Sequence, residues 1–294
     1  MSHHLRLVLI LGIALLCCSV ALISIHYGFA DHQSDIGFRT KRQSQGTFDE
    51  SRWRATFDRY QVASDFSPSH PLYHQELARL YVMYLNRGFS TLELSKAELE
   101  NLTKWHFRRA IELRPRWPAT IAEFVFFKFR VGEFDEEFRE MYRRALEVGP
   151  NNEIVLFNLS VVGVQRYSDS REEVREAIET VLFNGLISRE DGVMQRSARL
   201  LGQNSLLRQV VALQGIQYLI ESDWSYRDRR LYLWLANWLW DFATSEEQNH
   251  MVSKMMPAAN EQPMWVLRRL LRNQRLKSEL CMHLEGNAFC ETQS

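Results

Sequence analysis

Apolar residues are distributed along this chain in two different ways. From Leu7 to Ile25 they form a nearly unbroken run, LVLILGIALLCCSVALISI, interrupted only by small or weakly polar residues. At about 1.5 Å of rise per helical residue, such a run covers the hydrocarbon core of a bilayer. From Arg52 onward the apolar positions recur at spacings of three and four, as in Tyr73, Leu77, Tyr81, Tyr84 and Leu85, which is the period of an amphipathic helix. No stretch shows the sustained alternation of a half-buried strand. The pattern predicts an all-α protein with an N-terminal transmembrane segment over residues 1–30. The next stretch, residues 31–50 (DHQSDIGFRTKRQSQGTFDE), is polar and aperiodic and predicts a flexible stalk.

Helix boundaries are marked along the body. Pro71 suits a first helical turn, Asn86-Arg87-Gly88 closes that helix, and Ser95 with Glu98 forms a capping box for the next, which continues through Leu102, Phe107, Ala110 and Ile111. Phe134, Phe138, Met141, Tyr142 and Ala145 make a further apolar stripe, stopped by Gly149-Pro150. The acidic run Glu133 to Glu137, with Glu140, falls at a turn and first helical turn. Carboxylates there favour the helix dipole, and this explanation is preferred to a carboxylate pair for glycoside hydrolysis. Two blocks then align with little adjustment, FRRAIELRPRWP (Phe107 to Pro118) and YRRALEVGPNN (Tyr142 to Asn152). Ala110 and Ala145 are 35 positions apart, as are Pro115 and Pro150. Such a period signals stacked helix pairs, each burying the apolar face its neighbour leaves open.

In these residues the chain resembles the tetratricopeptide repeat (TPR) family, whose second helix ends with an aromatic, a small alanine three residues later, and a proline at the turn. Phe107, Ala110 and Pro115 match those places in one unit, and Tyr142, Ala145 and Pro150 in the next. A third unit places Val174 and Ala177 there with Leu182 instead of proline, and the connection from Asn86 to Leu94 is longer than the family pattern. The resemblance implies an antiparallel helix-pair solenoid over residues 51–185, of the kind that holds peptides or protein segments in a concave groove.

Residues 186–294 read as four or five further helices without a clear repeat. Thr244 with Glu247 forms a capping box, Pro257 ends one helix, and Pro263 begins another. RRLYLWLANWLWDFAT, Arg229 to Thr244, is apolar nearly all round and predicts a buried helix. The alternative is a sugar-stacking platform of Trp234, Trp238 and Trp240 beside Asp241. In a helix from Met264 to Leu280, Val266, Leu267, Leu270 and Leu271 share one face, while Arg268, Arg272 and Arg275 share the other. An ordinary solvated surface accounts for those arginines, and the alternative is a surface for an anionic glycan or lipid headgroups.

Charge and cysteines then narrow the function. The 36 basic and 36 acidic residues cancel, so the long-range field that non-specific nucleic-acid binding needs is missing. Arg6 precedes the apolar run and Asp31 and Asp35 follow it, as in a signal anchor that starts in the cytoplasm, although Lys41 and Arg42 oppose that orientation. Gly28-Phe29-Ala30 leaves a cleaved signal peptide open as the alternative. Leu15 and Leu16 ahead of Cys17 and Cys18 do not fit a lipobox. Cys281 and Cys290 flank a Gly286-Asn287 turn signal, and a disulfide between them would suit an oxidising compartment, with two unrelated thiols as the alternative. There is no Gly-rich phosphate loop, nucleophile elbow or HExxH motif. His70 and His74 are four apart, but no third metal ligand follows at a diagnostic spacing. No catalytic residue, cofactor or metal is expected.

The layout of membrane segment, polar stretch, short TPR-like block and Trp-rich helical end is similar to that of the VpsP family of bacterial exopolysaccharide-biosynthesis accessory proteins. That resemblance implies a scaffold in making or exporting surface polysaccharide, anchored in the inner membrane with its body in the periplasm and holding assembly proteins together. Two other readings are a polysaccharide-binding module, using Trp234, Trp238 and the Arg268, Arg272 and Arg275 face on an anionic glycan, and a glycan-modifying enzyme.

Overall fold

The computed structural model describes residues 3–43, 48–188, 191–222, 229–260 and 273–283. Among them it holds thirteen α-helices and no strand. The chain divides into two compact units, residues 1–132 and 133–294, so the block expected over 51–185 is shared between both.

Unit 1 holds α1 (His3–Gln43), α2 (Glu50–Phe66), α3 (Pro71–Arg87), α4 (Lys96–Leu113) and α5 (Pro118–Val131). The first of these is 41 residues long and has two environments. Between Leu11 and Phe29 every side chain is exposed, with Leu15, Leu22 and Ile25 about two-thirds bare, and this helix is long and apolar enough to cross a membrane. At Ala30 burial becomes complete, and Gln33, Ser34 and Gly37 follow it into contact with α2.

Residues 31–43 are therefore helix and not a flexible stalk. The physical reason lies in what makes this interface. Its positions follow the helical spacing of three and four, but they are small or polar, so a search for apolar periodicity passes over them. Gly37 admits the Tyr60 ring so closely that a β-carbon there would lie 3.0 Å from it. Arg59 donates to Gln33 (2.8 Å), the Tyr73 hydroxyl donates to Asp31 (2.5 Å), and Lys41 donates to Glu76 (2.8 Å).

The core of unit 1 is aromatic. Trp53 stacks on Phe57 (4.9 Å between centroids), tilts against Tyr84 (4.7 Å), and donates its indole N–H to the Leu80 carbonyl (2.8 Å). The boundaries fall where the residues place them. Ser95 and Glu98 complete a capping box, and Gly88 takes the left-handed conformation (φ 66°) that ends α3.

A turn recurs through the helix pairs. The N–H of Arg114 returns to the Ala110 carbonyl and that of Trp117 to Arg114, while Gly149 returns to Ala145 and Asn152 to Gly149. The same two bonds join Ser67 to Ala63 and His70 to Ser67, and the three cap residues share nearly one conformation, with φ from −144° to −137°. Tyr60, Ala63 and Pro68 thus occupy the aromatic, alanine and proline places of a unit not recognised in the sequence. Its alanine is 47 positions ahead of Ala110 because the α3–α4 connection is long, which hides it from a search at 35. Phe107, Ala110, Tyr142 and Ala145 are all buried, with Pro115 and Pro150 exposed at their turns.

Unit 2 holds α6 (Glu136–Val148), α7 (Glu153–Arg166), α8 (Glu172–Leu186), α9 (Asp191–Leu201), α10 (Ser205–Glu221), α11 (Arg229–Leu239), α12 (Ser245–Asn260) and α13 (Gln274–His283). Glu136 and Glu137 lie in the first turn of α6, where the helix dipole favours them, and Asp135 caps that helix by accepting the Phe138 N–H. The fully buried Tyr142 donates its hydroxyl to the Leu159 carbonyl (3.0 Å). The weaker third unit does not keep the repeated turn, because Leu182 lies inside α8, which continues to Leu186. Thr244 and Glu247 form their capping box, but α12 runs through Pro257 to Asn260. Of the helix expected from Met264 to Leu280, residues 264–272 lie outside the described residues, and the described part begins at Gln274, directly after Asn273. The Asn273 side chain accepts the N–H groups of Arg275 and Leu276 and so starts α13 as a cap. Pro263 lies outside the described residues.

Two outcomes test this fold. Trypsin acting on the full chain in detergent micelles should leave the bond after Arg39 intact, since a packed helix resists the enzyme; rapid cleavage there, read by mass spectrometry, would restore the stalk. At Gly163 in α7, a β-carbon would meet the Ile178 Cγ2 at 2.7 Å and the Tyr142 hydroxyl at 2.9 Å. Gly163→Ala is therefore expected to lower stability by about 1–2 kcal/mol, overpacking outweighing the gain in helix propensity. A raised melting temperature would contradict this packing.

Candidate functional site

The long α3–α4 connection builds a sizeable cleft in unit 1. Gly88 turns the chain out of α3, and the loop is pinned at two places. The Glu50 carboxylate accepts the N–H groups of Ser90 (2.5 Å) and Thr91 (2.7 Å), and these bonds, Ser90's foremost, hold its pKa below the usual range. The Tyr84 hydroxyl accepts the Leu92 N–H (2.8 Å). Between this loop, α4 and the end of α5 lies a half-open cleft of about 560 Å³. Leu85, Leu92, Leu99 and Phe127 form its apolar walls, and Lys96, Glu100 and Arg130 its charged lining. The volume is in the ordinary range for ligand pockets, roughly 300–1,000 Å³. This lining can hold an apolar group beside charged side chains, of which Lys96 and Glu100 are paired at 3.6 Å.

At the other end of α3 and α4 lies a partly buried polar network, with Gln75 and Glu76 its buried members. The Arg79 guanidinium donates to both oxygens of Glu123 and also to Glu76, and Gln75 donates to Glu123 (3.2 Å) while accepting from Arg114 (3.0 Å). Burial works against both charges. Lys41 and Arg79 nevertheless hold the Glu76 pKa below the usual carboxylate range, and the two carboxylates raise that of Arg79. Desolvated charges in this arrangement are tolerated because each has a partner and directed hydrogen bonds.

His74 and His106 face each other in the same region, with Nδ1 atoms 3.1 Å apart and the Nε2 of His74 2.8 Å from the Pro68 carbonyl. Both nitrogens of His74 are thus engaged, and His70, at the N-cap position of α3 without a side-chain capping bond, stacks on Tyr73 (4.2 Å). No group of three or more potential metal ligands gathers among the described residues.

Among the carboxyl-half candidates, Asp241 and Arg275 line one cleft of about 410 Å³, and Trp240 and Arg275 line another of about 360 Å³. Trp234 and Trp238 lie half-buried on α11. The Arg208 guanidinium sits over the Trp238 ring (5.8 Å) and the adjoining Phe242 ring (4.8 Å). Trp240 is buried in a 3-10 turn after α11, whereas Asp241 is exposed. Arg275 is exposed in the first turn of α13, and Arg268 and Arg272 lie outside the described residues. Cys281 is disulfide-bonded and Cys17 and Cys18 are free thiols; Cys290, the remaining cysteine, lies outside the described residues.

In sequence comparison, no protein-family model and no curated protein matches the chain. In the sequence the α3–α4 connection stands out only as a departure from the repeat. Its excess length was the available signal for the cleft.

The histidine pair gives the core a pH dependence. Burial first, and then the neighbouring His74, push His106 down to about 3, and burial also lowers His74. An unfolded histidine takes up a proton near pH 6.5 that the folded pair refuses, so this contribution to stability is complete above that pH and falls as pH drops towards 3. Urea denaturation of the full chain in micelles should show stability falling between pH 6.5 and 4.5, His106 contributing up to about 1.4 kcal/mol per pH unit and His74 acting in the same direction. His106→Gln should flatten the slope; an unchanged slope would show that the pair does not cause it.

Proposed function

We propose that this protein is a membrane-anchored helical scaffold that holds partner proteins of a surface-polysaccharide assembly system at the bacterial inner membrane, with its body in the periplasm. The observation that carries the reading is α1, whose bare apolar half passes without a break into the packed core of unit 1. A soluble protein of this size has no reason to leave about twenty consecutive helical positions exposed and mostly apolar. The body suits binding more than catalysis. Three of its helix–helix turns share one hydrogen-bond pattern, and the cleft at the α3–α4 connection offers apolar walls beside charged side chains. The disulfide at Cys281 favours an oxidising compartment, and hence the exported side. The link to polysaccharide rests on the resemblance of the layout to the VpsP family.

The test is made in cells. With alkaline phosphatase fused after Ser294, an exported body gives an active reporter, and mass spectrometry of the recovered chain should find residues 1–30 retained. A strain lacking the protein should lose most of its surface polysaccharide and regain it with the full chain, but not with a version released from the membrane by a cleavable signal. An inactive phosphatase would overturn the orientation. Normal polysaccharide in the deletion strain would overturn the assigned process.

A further inference from the structure

The residues around the base of α1 form a surface of a defined kind. The apolar run ends at Ile25. One turn later Phe66, the last residue of α2, packs its ring on Phe29 (4.7 Å between centroids) and beside His26 (5.4 Å). The α2–α3 turn is thereby fixed at the level where the bare helix ends. The α4–α5 turn is brought to the same end by a chain of contacts. Tyr73, bonded to Asp31, stacks on His70. Arg114 donates to Gln75 in the first turns of α3, and its guanidinium lies 4.1 Å above the Trp117 ring.

Tyr27, Phe29, Phe66, Leu72 and Trp117 remain between 37% and 51% exposed at this end. Arg116 is exposed beside Trp117, and Asp65 is exposed beside Phe66. Half-exposed aromatics around the exit of a span, with charges of both signs interspersed, are the composition of a surface lying in the headgroup layer. Because residues 26–43 are helix, no slack separates this end from the span: at about 1.5 Å per residue, Asp31 is only about 9 Å beyond Ile25. The headgroup layer on each side of the hydrocarbon core is roughly 5–8 Å deep.

We infer that this end of unit 1, formed by Tyr27, Phe29, the α2–α3 turn with Phe66 and Leu72, and Trp117 in the α4–α5 turn, is seated in the lipid headgroup layer of the membrane that α1 crosses. The occupant of this apolar surface is the bilayer interface itself, and the inference rests on α1 being a transmembrane helix. Seated in this way, unit 1 has a fixed orientation on the membrane, with the cleft at the α3–α4 connection directed away from the lipid.

The full chain is reconstituted in vesicles of phosphatidylethanolamine and phosphatidylglycerol, in a background of Cys17→Ala and Cys18→Ala with the Cys281 disulfide left oxidised. An environment-sensitive fluorophore is attached in turn through Phe66→Cys, Leu72→Cys, Trp117→Cys and, as the control at the far end, Glu93→Cys. Lipids bearing a nitroxide near the carbonyl are then added. Labels held at the headgroup and acyl boundary should lose roughly half of their emission, with Glu93→Cys unaffected. Two sites among Phe66, Leu72 and Trp117 are enough to read the surface if one variant fails to fold by circular dichroism. If the protein floats with the vesicles and these labels are no more quenched than the control, this inference falls and the anchor reading stands. If the protein does not float, both fall.

Discussion

A helix that passes from a stretch of bare apolar side chains into a packed protein interface has to satisfy two surroundings with one backbone. In α1 the change comes within a turn of Ala30 and without a break in the hydrogen-bond ladder. What permits it is the close fit of Ala30, Ser34 and Gly37 against α2, where small residues let the Tyr60 ring approach to the limit of contact. Most of what is distinctive about unit 1 depends on that fit. It sets the register of α2 along α1, places Phe66 at the end of the apolar run, and brings Lys41 to Glu76.

The register is reinforced by charges that an apolar interior would not supply. Lys41, Glu76, Arg79 and Glu123 link α1, α3 and α5 through a continuous series of ion pairs, and Gln75 ties in Arg114 at the end of α4. Such pairs contribute little net stability once desolvation is counted, but removing one partner leaves a buried charge unmet. A slipped register would do the same to several at once.

The helical repeat shows how far residues can be read directly. Phe107 and Tyr142 with their alanines and prolines were visible because two blocks stood at one spacing. Tyr60, Ala63 and Pro68 make the same turn and were passed over, because the α3–α4 connection displaces them from that spacing. That connection is also what creates the cleft, so the irregularity in the period and the candidate binding site have one cause. Asn273 was missed for a different reason: its neighbours are good helix formers, and only its side-chain bonds to Arg275 and Leu276 identify it as a cap.

The amino-acid sequence by itself determined the all-helical class, the apolar run in α1, the caps at Ser95 and Thr244, and the burial of Phe107, Ala110, Tyr142 and Ala145. These follow from backbone preference and from one-dimensional periodicity, which are local properties. Only the tertiary structure decided that residues 31–43 are helix, that His74 meets His106, that Arg208 lies over Trp238, and that four side chains from three helices form one ion network. Each depends on residues far apart in the chain, and their polar or small side chains carry no hydrophobic signal until a partner faces them.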